Sequence, residues 1–149
     1  MIPSWHRKPA YPDPADVLFY EGTTFRVEWY YTDEGRLPAH QQYRELPEVD
    51  QERLEKIVRY IANKPLGTLF PKSLYRIEDA ANKIYAFKSK DERFFNFMVA
   101  GRRIVITNAY RKHSQQMGKT DIDKLKIAAA YRADYLRRVA NGSYYENEA

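Results

Sequence analysis

The sequence predicts an α+β domain on a small antiparallel sheet, in the order strand, helical pair, three-strand meander, C-terminal helix, with the helices mainly on one face. Three observations carry this. Residues 25–31 alternate apolar and polar, three β-rich runs between 84 and 109 are joined by short polar connections, and apolar residues recur at helical spacing over 54–61 and 125–139. At 149 residues the chain has the length of one ordinary domain, and such a chain buries roughly 68–70% of its unfolded surface. It is expected to fold without staples.

Residues 1–24 carry four of the eight prolines, which remove backbone donors, so they read as an extended N-terminal arm with 17–20 docking as a short strand at best. Alternation then places Phe25, Val27, Trp29 and Tyr31 on one face of a half-buried strand and Arg26, Glu28 and Tyr30 on the other. Pro38 to Leu46 reads as a short helix. In a second helix, opened by Pro47 and ended at Asn63-Lys64-Pro65, Leu54, Ile57, Val58 and Ile61 share a face. Residues 64–82, punctuated by Pro65, Gly67 and Pro71, are expected to be irregular.

The meander strands are 84–88, 93–99 and 103–109, and their short connections require antiparallel hairpins. A polar loop, 111–119, leads to a helix capped by Thr120 with Asp123 three residues on. Its apolar stripe is Leu125, Ala128, Ala129, Tyr135, Leu136 and Val139, and Asn141-Gly142 ends it. The domain is therefore 25–142, with a C-terminal tail, 143–149, expected to fray from Tyr144 on.

Composition excludes several classes. There is no cysteine, which removes disulfides, thiolate metal sites and cysteine nucleophiles and favours an intracellular home. No run approaches the ~18 apolar residues of a membrane span, and no apolar run follows the N-terminal charges. A cytoplasmic protein with no membrane partner is expected. Neither GxxxxGK[ST] nor GxGxxG occurs, and His6, His40 and His113 lie far apart. No metal and no cofactor are expected. The acids of the later segment, Asp91, Glu92, Asp121, Asp123 and Asp134, fall in turns or on a helix and do not form the opposed pair of a glycosidase.

Charge is segregated. Residues 83–139 hold 14 Lys and Arg against 5 Asp and Glu, whereas residues 1–82 hold 11 against 13. A concentrated cationic surface attracts polyanions, and its interleaving with Tyr and Phe points to nucleic acid, although membrane phosphates or an acidic protein would answer to the charge alone.

One cluster around a sheet edge combines phosphate-binding with proton-handling side chains: Lys88, Arg93, Tyr110, Arg111, Lys112, His113, Ser114 and Gln115, with Lys90 and Lys119 as further RNA-binding cations. In an antiparallel meander the end of the third strand lies beside the start of the second, which brings Arg93 toward Lys112. The set suits RNA cleavage by the neighbouring 2′-hydroxyl, a reaction that needs proton exchange and positive charge on the phosphorane. Lys112 or His113 exchanges protons, Arg93 holds phosphate in its planar fork, and Tyr110 stacks on a base or donates from its hydroxyl. Tyr85, Phe95, Phe97 and Trp29 read as core, and Tyr131, Arg132 and Tyr135 as packing the last helix on the sheet. The Arg137-Arg138 end is placed to touch phosphate.

The run from Tyr85 to Ala128 resembles the RelE/ParE superfamily of bacterial toxins, specifically the phage-derived HigB-like branch. The resemblance is carried by Arg93-Phe94-Phe95 opening a strand, the hydrophobic strand 103–109, then Tyr110-Arg111-Lys112-His113-Ser114-Gln115, then the Ala- and base-rich helix 122–132, with a helical hairpin at 38–63 before them. It covers about 110 residues. The chain departs from the pattern at His113, where the branch has a second Lys, and at Gln116-Met117-Gly118, where it has Lys-Thr-Pro. The resemblance implies a RelE-like fold and the toxin of a type II toxin-antitoxin pair, an endoribonuclease cleaving mRNA, often on the translating ribosome. It also implies inhibition by a protein antitoxin with a helix-turn-helix domain. Gyrase-directed ParE-like poisoning and nucleic-acid binding without cleavage are the alternatives.

Overall fold

The computed structural model describes residues 11–113 and 117–146. Its elements are α1 (Pro14–Val17), β1 (Leu18–Glu21), β2 (Arg26–Trp29), α2 (Pro38–Glu45), α3 (Glu48–Ala62), β3 (Tyr75–Asp79), β4 (Ile84–Ser89), β5 (Glu92–Val99), β6 (Arg103–Arg111) and α4 (Lys119–Ala140). The strands form one six-stranded sheet in the order β1-β2-β6-β5-β4-β3. The α+β class is as expected.

The sheet is mixed, not antiparallel, because β2 runs parallel to β6, with Arg26 opposite Arg103 and Trp29 opposite Ile106. Short connections dictate antiparallel pairing in the meander, but β2 and β6 are separated by a long excursion that leaves either direction open. The helices also divide between the faces. Leu54, Ile57, Val58 and Ile61 of α3, with Ala39 of α2, pack against Val27, Trp29, Phe87, Phe94 and Ile104. Tyr30, Ile84, Ala86, Phe95, Phe97 and Val105 form a second core with Ala128 and Tyr135 of α4. A sheet that alternates large apolar residues to both sides needs a cover on each.

Several local expectations are corrected. The stretch 64–82 contains β3, an edge strand paired antiparallel with β4; its Pro- and Gly-rich approach masks an alternation of only four residues, Tyr75 to Glu78. The short strand expected at 17–20, by contrast, is present as β1 over 18–21, antiparallel to β2, so the arm contributes to the sheet. Its turn rests on the end of α3, where the Ala62 carbonyl accepts from the Thr24 and Phe25 amides at 3.0 and 2.9 Å. A Cβ on Gly22 would lie 2.5 Å from that oxygen, so only glycine fits the approach.

The cap of α4 is Gly118 rather than Thr120, with Asp121 at N3 accepting the Gly118 amide at 2.7 Å. Finally, Tyr144 is buried and Tyr145 donates to the buried Glu28 at 2.7 Å. The start of the tail is thus a latch. The Arg138 guanidinium lies 4.6 and 4.8 Å from the Tyr31 and Tyr144 ring centroids. Arg138 therefore occupies the inward position on the last turns of α4, while Leu136 and Val139 are exposed.

Among the described residues no helix is long and apolar enough to cross a membrane.

Candidate functional site

Register sets the first three residues of the site in one row. Lys88 on β4 is opposite Arg93 on β5, and Arg93 is opposite Tyr110 on β6. Directly opposed side chains share a sheet face, here the face covered by α4. The turn between β4 and β5 is only Lys90-Asp91, with Lys90 at φ 53°, so the row lies at the sheet's rim. Lys112 follows β6 and is anchored by its amide, which donates to the Asp91 carbonyl at 2.7 Å. From the other side β3 adds Arg76 and Glu78, and the first turns of α4 add Asp121 and Leu125. Together with Phe95 and Met117 these residues enclose a cavity of about 120 Å³. Arg93 and Lys112, separated in sequence, share this concavity.

Hydrogen bonds orient its cations. Arg93, 8% exposed, donates from Nη1 to the carbonyls of Lys90 at 2.5 Å and Glu92 at 3.1 Å. Arg76 binds the Glu78 carboxylate through Nε and Nη2 at 3.1 and 3.3 Å. Asp121 is the hub of the opposite wall: Oδ1 accepts from the Tyr110 hydroxyl, and Oδ2 from Lys112 Nζ at 2.8 Å and the Gly118 amide at 2.7 Å. Burial works against the Asp121 carboxylate, but the Gly118 amide, Lys112 and Tyr110 outweigh it and hold its pKa at about 2. The Tyr110 hydroxyl is pushed up, first by burial and then by its bond to Asp121. The Tyr110 hydroxyl is thereby kept protonated, and Lys112 Nζ is engaged as a donor to the same carboxylate.

Lys88 behaves differently. Burial lowers its pKa, and Arg76, Arg93 and Lys112 lower it further, against the single opposing pull of Glu78. It is the cavity's strained ammonium, held among like charges.

The structure thus brings Arg93, Tyr110, Lys112 and Lys88 together. It does not bring the remaining expected residues to the cavity wall. Arg111 alternates to the other face, where it binds Glu92 at 3.4 Å and Asp91 at 3.6 Å. Lys90 contributes its carbonyl, and its side chain is exposed in the turn. Lys119 and His113 are exposed and outside the lining. Ser114 and Gln115 lie outside the described residues.

Arg76 and Glu78 escape sequence reading because β3 itself does. Asp121 is hidden by the misplaced cap, although an acid three residues after a glycine at a helix start was the available signal. No family model matches the chain, and no curated protein proves similar to it.

Proposed function

We propose that the protein is a toxin of the RelE/ParE type, nearest the HigB-like branch in motif order, and that its cavity binds and cleaves mRNA, with the translating ribosome positioning the substrate. The observation that carries this reading is the convergence of Arg93, Lys88, Tyr110 and Lys112, from three separate stretches, on one cavity. Three cations and a phenol donor around a phosphate-sized concavity match the charge that develops on a phosphorane. The 2′-oxygen attacks phosphorus as its proton passes to solvent water, the bond to the 5′-oxygen breaks, and that oxygen takes up a proton, giving a 2′,3′-cyclic phosphate and a 5′-hydroxyl. Arg93 neutralises the non-bridging oxygens. Lys112 and Tyr110, held as donors by Asp121, stabilise charge or deliver the proton. His113, at the end of the described loop, is an auxiliary. A shallow site with few groups gains much of its rate from substrate positioning, which supports a role for the ribosome, and the helical pair and meander support a RelE-like fold. A small antitoxin with a helix-turn-helix domain is the expected partner.

Primer extension on transcripts after induction tests this. Wild-type protein is expected to arrest growth and leave discrete cuts, and Arg93→Ala or Lys112→Ala to reduce cutting by at least about 100-fold. Cuts that persist unchanged in both variants remove the assignment. A second reading, RNA binding without cleavage, is favoured by the engagement of both Lys112 and Tyr110 with Asp121. Salt-dependent binding with no products, even on ribosomes, would establish it instead.

A further inference from the structure

Arg132 differs from its neighbours on α4. Arg137 and Arg138 both bind Asp134, at the i,i+3 and i,i+4 spacings. Arg132 has no carboxylate partner among the described residues, and its Nε is buried with no acceptor. Its guanidinium lies 5.8 Å from the Phe97 ring centroid, and the residue is half-buried. A buried N–H of a charged group left without an acceptor is costly, because its hydration is lost and nothing replaces it. The pairing with Phe97 orients the group without satisfying any of its donors.

Its position is defined by two rulers. On α4, Leu125 lines the cavity, and Arg132, seven residues on, lies on the same face about 10 Å further along the axis. On β5, Phe95 lines the cavity and Phe97 points to the same side, in the core beneath α4, about 7 Å further along the strand. Both lead out of the cavity in one direction, along the flank of α4. Beneath this flank Ala86, Phe97 and Ala128 are fully buried core residues and bring no charge to it.

We propose that Arg132 binds a second phosphate of the RNA strand, and that the strand therefore leaves the cavity along this flank of α4. The assignment rests on the reading of the cavity as an RNA site. A planar fork with no internal acceptor takes a phosphate through paired N–H donors, which also relieves the orphaned Nε once the side chain turns outward. It extends the role expected from sequence, where Arg132 only packs the helix.

The test uses full-length protein and 5′-labelled 2′-O-methyl RNA, which cannot be cut, as a dinucleotide that fills the cavity alone and as a ten-nucleotide strand. Arg132→Gln is expected to weaken the longer strand roughly 5- to 10-fold and to lower the slope of log K against log salt by about 0.7, one phosphate contact on a single strand. Dinucleotide binding stays at the wild-type level. Arg132→Lys keeps the slope, and Arg93→Gln weakens both lengths. Unchanged binding of the longer strand by Arg132→Gln, or equal loss for both lengths with a lowered melting temperature, overturns the assignment and leaves the cavity reading standing. Wild-type protein that binds neither RNA removes both.

Discussion

Asp121 and Lys112 are nine residues apart and meet at 2.8 Å, carboxylate to ammonium, with side chains 9% and 14% exposed. The pair joins the end of β6 to the first turn of α4. The same carboxylate also caps the helix and holds the Tyr110 hydroxyl. One acid therefore organises two candidate site residues and the entry to the helix that roofs them.

Removing one member of such a pair leaves the other charge desolvated. Asp121→Ala should cost roughly 3–5 kcal/mol in denaturant unfolding, and adding Lys112→Met should restore part of it. Additive single effects in this double-mutant cycle would show that the two are not coupled.

Acid should act through the same residue. The Asp121 carboxyl titrates at about 2 in the folded chain against an ordinary 3.8. Its contribution of roughly 2 kcal/mol is present above about pH 4 and is lost as pH falls toward 2, because the unfolded chain takes up the proton first. Unfolding followed from pH 5 to 2 should show this loss in wild-type protein and a shallower one in Asp121→Asn. Equal slopes would contradict it.

Lys88 should show the reverse economy. A lysine lowered by burial and three cations is a liability while charged, so stability should rise as pH climbs from the folded pKa toward the unfolded value. At neutral pH, Lys88→Met should raise stability by about 0.5–1 kcal/mol while weakening RNA binding. A destabilised variant would mean that its aliphatic packing outweighs the repulsion.

The C-terminal latch gives a further test. Tyr144 is 1% exposed and stacks on Tyr31 with ring centroids 4.4 Å apart. Tyr144→Ala should cost about 3–5 kcal/mol by loss of a buried aromatic, read as a lowered denaturation midpoint. A change below about 0.5 kcal/mol, the range of surface substitutions, would show that the segment does not dock.

Local patterning made the meander, the α2–α3 pair and α4 legible, because periods of 2 and 3.6 and short connections leave little choice of structure. The same reasoning brought Arg93 toward Lys112, since a hairpin fixes which strand ends meet, whereas the register that sets Arg93 opposite Tyr110 came from the structure. It failed at β3, whose five residues become a strand only by pairing with β4, and at Tyr144 and Tyr145, whose burial requires the distant Tyr31 and Glu28.

By itself, then, the sequence determined the elements bounded by tight turns and the row of cations those turns align. Tertiary structure alone decided the parallel β2–β6 pairing, the division of helices between two faces, and the closing of the cavity by Arg76, Glu78 and Asp121. Those depend on contacts across many intervening residues, where the cost of loop closure grows so slowly with length that the chain leaves several partners open until packing selects one.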